Sequence, residues 1–376
     1  MVEGRPVAVT GSDDGTVRMW DLVTRQPVGE PLTSDTGVSA VATATVEGRT
    51  VAVTGCSDGT ALVGDLATGQ PVDELLPGDT DLVSAVATAV MEDRPVAVTG
   101  SLDGTVLVWD LAAGHAVDQL LTGHDGTVLA MATAVVEDRP VAVTGSDDGT
   151  VRMWDLITGQ PLSEPLTGHT GEVPAVATAV VEGRTVAVTG SWDGTVRVWD
   201  LITRQPVSEP LTGHTGEVNA VATGVVEGRM VAVTGSRDGT MRIWDLATGR
   251  PVSEPITRHT GWGRVVTVAV VEGRPVAVTG SDDGTVRMWD LVIGWPVGEP
   301  LPSDTGVWAV ATGAVGGRPV AVTGSLDGTV RVWDLATGRP VGQKLVFPAP
   351  IHAVAVTPDG RLVAGFGWEV AVLARF

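Results

Sequence analysis

Four residue types recur together in this sequence at a spacing that could do chemistry. They are His124, Thr144, Asp148 and Trp154; His169, Thr189, Asp193 and Trp199; His214, Thr234, Asp238 and Trp244; and His259, Thr279, Asp283 and Trp289. A hydroxyl, an imidazole and a carboxylate are the parts of a nucleophilic hydrolase. Several His with several Asp could also hold a metal. Repetition argues against both readings. A catalytic constellation is not expected four times over in one chain, and four His on four successive units should stand beyond shared-ligand distance. Neither metal nor cofactor is expected. Ser12-Asp13-Asp14-Gly15-Thr16 is too short for a calcium loop, which gathers oxygen ligands over about twelve residues. No Gly-rich phosphate loop precedes a helix, and there is no Gly-x-Ser-x-Gly elbow. No residue is assigned as catalytic, and the chain is not expected to be an enzyme.

The elements that must position these residues are themselves repeated. Gly-Ser-Asp-Asp-Gly-Thr-Val-Arg-Met-Trp-Asp-Leu stands at 11–22, 145–156 and 280–291, with edited copies between. The period is about 45 residues, which marks a repeat architecture. In the unit from Gly168 to Gly213, Val173–Val181 is a β-branched run and Glu182-Gly183-Arg184 a turn. Thr185–Gly190 is a second run, and Ser191-Trp192-Asp193-Gly194 a tight turn with Gly at a positive-φ position. Thr195–Trp199 alternates as a third strand, and Pro206–Leu211 reads as a short outer strand, where an edge can spare a donor. Each unit is thus four antiparallel strands, a to d, and no stretch has a helical period. Four-stranded sheets at this period stack radially as a β-propeller.

With Gly-His at 123–124, 168–169 and 213–214, Arg258-His259 as a variant, and Trp-Asp closing strand c in most copies, the chain resembles the WD-repeat β-propeller family. The resemblance covers nearly the whole chain. It implies that each His–Thr–Asp–Trp set is a structural relay: indole N–H to Thr, Thr to His, His to Asp. A buried indole needs such an acceptor. The relay should fail where Asp35, Asp79 and Asp304 replace His, facing Asp58, Asp103 and Asp327. The unit holding Asp58 also has Gly64 in place of Trp and is expected to be the least stable.

The fold class is therefore all-β, a single propeller over residues 1–376. Inner strands begin near Val38, Val83, Val128, Val173, Val218, Arg264, Val307 and Ile351, which gives eight blades, with a nine-bladed ring containing an incomplete blade as the alternative. The N-terminus supplies strands b, c and d; residues 351–376 supply a, b and c. Closure through C-terminal a with N-terminal b–c–d, or through C-terminal a–b–c with N-terminal d, leaves two strands over either way.

The formal charge is -21, which opposes partners bound by phosphate neutralisation; nucleic acid and membrane are not expected. The short apolar runs and the absence of a signal-like N-terminus make a soluble, cytoplasmic protein the expectation, and a monomer is expected. A single cysteine, Cys56, excludes an intrachain disulfide. Lys344 is the only lysine and Tyr is absent, a bias of GC-rich coding.

Function should sit where the copies diverge. One such position precedes the turn Asp: Asp13, Ser57, Leu102, Asp147, Trp192, Arg237, Asp282 and Leu326. Another lies at the start of strand a: Ser39, Ser84, Leu129, Pro174, Asn219, Arg264, Trp308 and His352. The resemblance places both on the top face, where protein partners dock. Trp192, Arg237, Arg258, Trp262, Arg264 and Trp308 form an arc of the residue types that dominate interfaces. A scaffold for a protein or peptide, acidic or aromatic in character, is the expected function. The alternatives are the sensor part of a larger protein and an enzyme using the central channel. The uniform Ala-Val-Ala-Thr of the inner strands argues against the last.

Overall fold

The computed structural model describes residues 7–11, 16–21, 26–27, 32–33, 38–46, 49–56, 59–65, 81–113, 115–257, 259–303, 305–315, 318–342, 344–346, 351–356, 362–366 and 369–373. Among these the protein is all-β, without a helix. The strands pair into antiparallel sheets, an arrangement consistent with a β-propeller.

The first sheet holds Val38–Val46, Arg49–Cys56 and Ala61–Asp65. The second holds Val83–Met91, Arg94–Ser101, Val106–Asp110 and His115–Leu121. The third to seventh have inner strands Val128–Val136, Ala175–Val181, Val218–Val226, Gly263–Val271 and Val307–Val315. In a terminal sheet, Ile351–Val356, Leu362–Phe366 and Glu369–Leu373 share one path with Val7–Gly11, Thr16–Asp21 and Gln26–Pro27. The joint is Thr10↔Ala371 and Gly11↔Val370. Neither closure expected from the sequence occurs. Both sets of three strands are kept, because joining strand c of one to strand b of the other pairs two edges that would otherwise lie open.

Each inner strand touches the next, and Ile351–Val356 touches both Val307–Val315 and Val38–Val46. Hydrogen bonds tie neighbouring inner strands: Thr133 Oγ1 donates to Thr88 O at 2.9 Å, Thr178 to Thr133 O at 3.0 Å and Thr223 to Thr178 O at 2.9 Å. The recurring inner-strand Thr is therefore a cross-sheet tie.

The core lies between sheets. Trp199 and Leu201 of the fourth sheet pack on Val141, Val143, Val151 and Met153 of the third. Trp154, Trp244, Trp289 and Trp333 likewise seal onto the sheet before their own. Burying an indole in this way stabilises by about 4–6 kcal/mol from area alone. Trp109 seals the second sheet onto the first. At the equivalent place in the first sheet stands the buried Gly64, so that sheet brings no indole to the terminal sheet.

Two local expectations are corrected. The outer strand Pro206–Leu211 is two separate pairings, Gln205–Pro206 on Asp200 and Trp199, and Leu211 on Val196. Pro206 and Pro210 lack the N–H a continuous ladder needs. The inner strand of the fourth sheet begins at Ala175, because Pro174 cannot pair where other sheets carry a bulge.

Candidate functional site

The hairpin turns position the recurring polar set. Ser191-Trp192-Asp193-Gly194 closes with Gly194 N donating to Ser191 O at 3.1 Å, and Gly194 takes φ 79°, a backbone region other residues avoid. Asp193 Oδ1 then accepts from Thr195 N and Thr195 Oγ1, which aims Oδ2 at the preceding loop. There His169 Nδ1 lies 3.0 Å from Asp193 Oδ2, and His169 Nε2 lies 2.9 Å from Thr189 Oγ1. Trp199 Nε1 donates to the same Thr189 Oγ1 at 2.9 Å. The sets of His124, His214 and His259 repeat these three contacts between 2.8 and 3.2 Å.

A carboxylate only accepts, so Nδ1 carries the proton, the Thr hydroxyl donates to Nε2, and the indole donates to the hydroxyl. Burial pushes all four imidazoles below their ordinary value of 6.5, which keeps them neutral. Burial pulls the Asp238 and Asp283 carboxyls upward. Hydrogen bonds, led by those from the Thr240 and Thr285 hydroxyls, outweigh it and hold both at about 2. Thr144, Thr189 and Thr234 are wholly buried, and Thr279 is nearly so. Each hydroxyl gives its one proton to His, accepts from Trp, and is covered from solvent. Asp35, Asp58, Asp79 and Asp304 lie outside the described residues. In the sheets that hold Asp103 and Asp327, Trp109 donates to Thr99 and Trp333 to Thr323, each at 3.0 Å.

The divergent positions sit together at the turn end of the sheets, and two backbone devices put them there. The residue before the turn Asp is pinned to the preceding loop. Trp192 N donates to Glu172 O, Arg237 N to Glu217 O and Asp282 N to Trp262 O. The position at the start of the inner strand is a β-bulge. The register slips between Val218 and Ala220, between Gly263 and Val265, and between Val307 and Ala309. Asn219, Arg264 and Trp308 are therefore the extra residues of their ladders. A bulge residue is released from pairing and can be re-aimed at a surface.

Side chains of the bulges, turns and loops join across sheets. Arg237, in the turn of the fifth sheet, places its Cζ 3.8 Å from the centre of the Trp262 ring, in the loop that leads into the sixth. Arg264 places its Cζ 4.8 Å from Trp262 and 4.8 Å from Trp308 of the seventh. Arg237, Trp262, Arg264 and Trp308 thus alternate cation and indole across three sheets. Acids lock the ladder. Arg237 Nη1 meets Glu217 Oε1 at 2.6 Å, and Arg264 Nε meets Asp282 Oδ1 and Oδ2 at 2.9 and 3.1 Å. Trp308 Nε1 donates to Asp282 Oδ1 at 3.0 Å. Cation–π contacts of this kind contribute about 0.5–2 kcal/mol each, so the ladder is preorganised. Trp192 stands apart, 43% exposed, with its Nε1 on Asn219 Oδ1 at 3.0 Å. Arg258 lies outside the described residues.

Asp282 and Asn219 stood among the divergent positions without being assigned to the site, and Glu217 was missed. A signal exists for all three: Glu217 and Trp262 fill equivalent places in the loop, Asp282 and Arg237 in the turn, and Asn219 and Arg264 at the start of the inner strand. Trp295, 63% exposed, pairs with Asp290 at the far end of its sheet, away from the ladder.

The family model described as "WD domain, G-beta repeat" matches residues 4–21, 69–110, 117–155, 159–200, 204–245, 249–290 and 299–334. No curated protein matches the chain. Among solved structures, the crystal structure of the computationally designed Ika8 protein is 28% identical, with a TM-score of 0.72, over 90% of this chain and 96% of that one. Matching solved chains number 1714, so the architecture by itself singles out no activity.

Proposed function

The chain belongs to the WD-repeat family, and from that premise we propose that it is a non-enzymatic scaffold holding a protein or peptide partner on the face of Arg237, Trp262, Arg264 and Trp308. WD repeats generally mediate protein–protein interaction. In this reading the chain is one eight-bladed ring, joined through the terminal sheet, and the four His–Thr–Asp–Trp sets are structural relays. The observation that carries the reading is the ladder. Arg and Trp dominate interface hot spots, and here two of each are stacked and only partly covered, both Arg ion-paired, at places where the copies of the repeat differ. Rigid anchors lose little conformational freedom on binding, which favours a stable complex. The polar atoms of the relays, by contrast, are committed to one another.

The test is affinity capture with the intact chain and with the Trp262→Ala/Arg264→Ala double variant, with the thermal midpoint of both recorded. The reading expects partner lost from a variant that still unfolds cooperatively, its midpoint lowered only by the ladder's own contacts. A partner retained at full yield by the double variant would refute it.

A further inference from the structure

Resting on the ladder as a docking face, the geometry points to a more specific occupant: an extended peptide segment of the partner carrying carboxylates on alternate residues, one taken by Arg264 and the other by Arg237. The argument begins with what the ladder leaves unused. Asp282 engages only Nε of Arg264, and among the described residues neither Nη group of Arg264 has a hydrogen-bond acceptor. Glu217 engages only Nη1 of Arg237, which leaves its Nε and Nη2 without an acceptor among those residues. The indole N–H of Trp262, touched by both guanidinium groups, has no acceptor among the described residues either. The open polar groups on these three side chains are all donors. A ligand that fits them brings acceptors, and the planar Nη pair of a guanidinium suits a carboxylate in bidentate contact.

Spacing selects the arrangement of those carboxylates. Both guanidinium carbons lie against one ring, at 3.8 and 4.8 Å from its centre, so their separation cannot exceed those two lengths end to end. Alternate side chains on one face of an extended strand stand about 7 Å apart, which fits within that limit. Neighbouring residues of a strand point to opposite faces and could not reach both groups at once. Charge sets the style of binding. Glu217 and Asp282 already offset the two Arg, and the whole chain carries -21, so a long acidic tract is repelled at a distance. A segment with two carboxylates in an apolar setting avoids that repulsion and lays its apolar side chains on the indoles.

The experiment titrates the full chain with short synthetic peptides and follows Trp fluorescence and calorimetric heat. The probe is Ala-Leu-Asp-Leu-Asp-Leu-Ala, capped at both ends. The controls carry Asn for both Asp, the two Asp adjacent, or Lys for both Asp. Saturable binding of the alternating Asp peptide is expected, weakened about tenfold or more by Arg264→Ala and by Arg237→Ala, since each removes a charge-assisted pair. The Asn and adjacent-Asp peptides are expected to bind as weakly as the variants do. Arg264→Lys should recover little, because an ammonium offers no planar pair. No binding of the alternating Asp peptide up to millimolar concentration overturns the inference, and so does equal binding of the Asn peptide. Preferential binding of the Lys peptide, rising in Arg264→Ala, also overturns it, since the two indoles and Asp282 would then be a cation slot filled by Arg264. Any of these outcomes alongside partner lost by the Trp262/Arg264 variant in capture leaves the scaffold reading standing and removes only this one.

Discussion

Thr189→Val isolates what one relay is worth. Valine keeps the branched shape and suits a central strand, and only the hydroxyl is exchanged for a methyl group. Two buried neighbours lose their partner: Trp199 Nε1, its residue 1% exposed, and His169 Nε2. A buried polar group left without a partner costs about 1–3 kcal/mol, so the pair costs about 2–6. The added methyl returns about 0.8 kcal/mol of apolar burial. We expect a net loss of about 3 kcal/mol. Blades exchange stability mainly with their neighbours, so a global unfolding midpoint dilutes a local loss. Amide exchange of the strands Arg184–Gly190 and Val196–Asp200 reads it directly. Combining Thr189→Val with Trp199→Phe closes a double-mutant cycle. If the indole–hydroxyl bond is real, the second change costs about 1 kcal/mol less once the first is made. A single-variant loss below about 0.5 kcal/mol, or additivity of the two, would refute the relay account.

Acid should act on the relays in two steps. The four buried His have folded pKa values below 6.5, so the unfolded chain takes up protons first, and the stability they hold above 6.5 falls as pH drops through 6.5 toward the folded values. Asp238 and Asp283, held at about 2, keep a second contribution above 3.8 that is lost as pH falls toward 2. Urea midpoints measured from about pH 7.5 to pH 3 should decline in both windows, and a flat profile between pH 7 and 5.5 rejects the first step. The sheet of Arg49–Cys56, with Gly64 in place of an indole, should exchange its amides faster than the sheet of Arg184–Gly190; equal protection would show that the missing indole is compensated.

The period and the strand alternation made the architecture legible, because every sheet repeats one solution to the same packing problem. What could not be read lay where the repeat is broken. Arg264 and Trp308 appear in the sequence as variable residues at a strand start. That they are bulge residues follows only from pairing, since a one-residue slip leaves no mark in a run already flanked by Gly263 or Val307. The join of Val7–Gly11 to Glu369–Leu373 was hidden for a related reason. Periodicity counts strands, and it cannot say which edge a spare strand finds. The recurring Thr of the inner strands looked like monotony and is a cross-sheet hydrogen bond.

Arg, Trp and Asp serve two ends in this molecule, and pairing separates them. Arg197 and Trp199 alternate on a paired strand. Arg197 Nη2 is spent on Gly168 O at 2.7 Å and Trp199 Nε1 on Thr189, so both side chains hold a loop and a core in place. Arg264 and Trp308 occupy the slipped position of their ladders, outside the regular register. Their contacts are instead made with one another and with Asp282 across two sheets. A repeat that meets its own polar demands through relays can tolerate any residue at the slipped position without loss of the ring. Stability therefore places little constraint there. Arg264 and Trp308 hold that position on adjacent sheets, and with Trp262 of the loop and Arg237 of the turn they form an alternating ladder that needs a cause other than the fold; recognition of a partner supplies one.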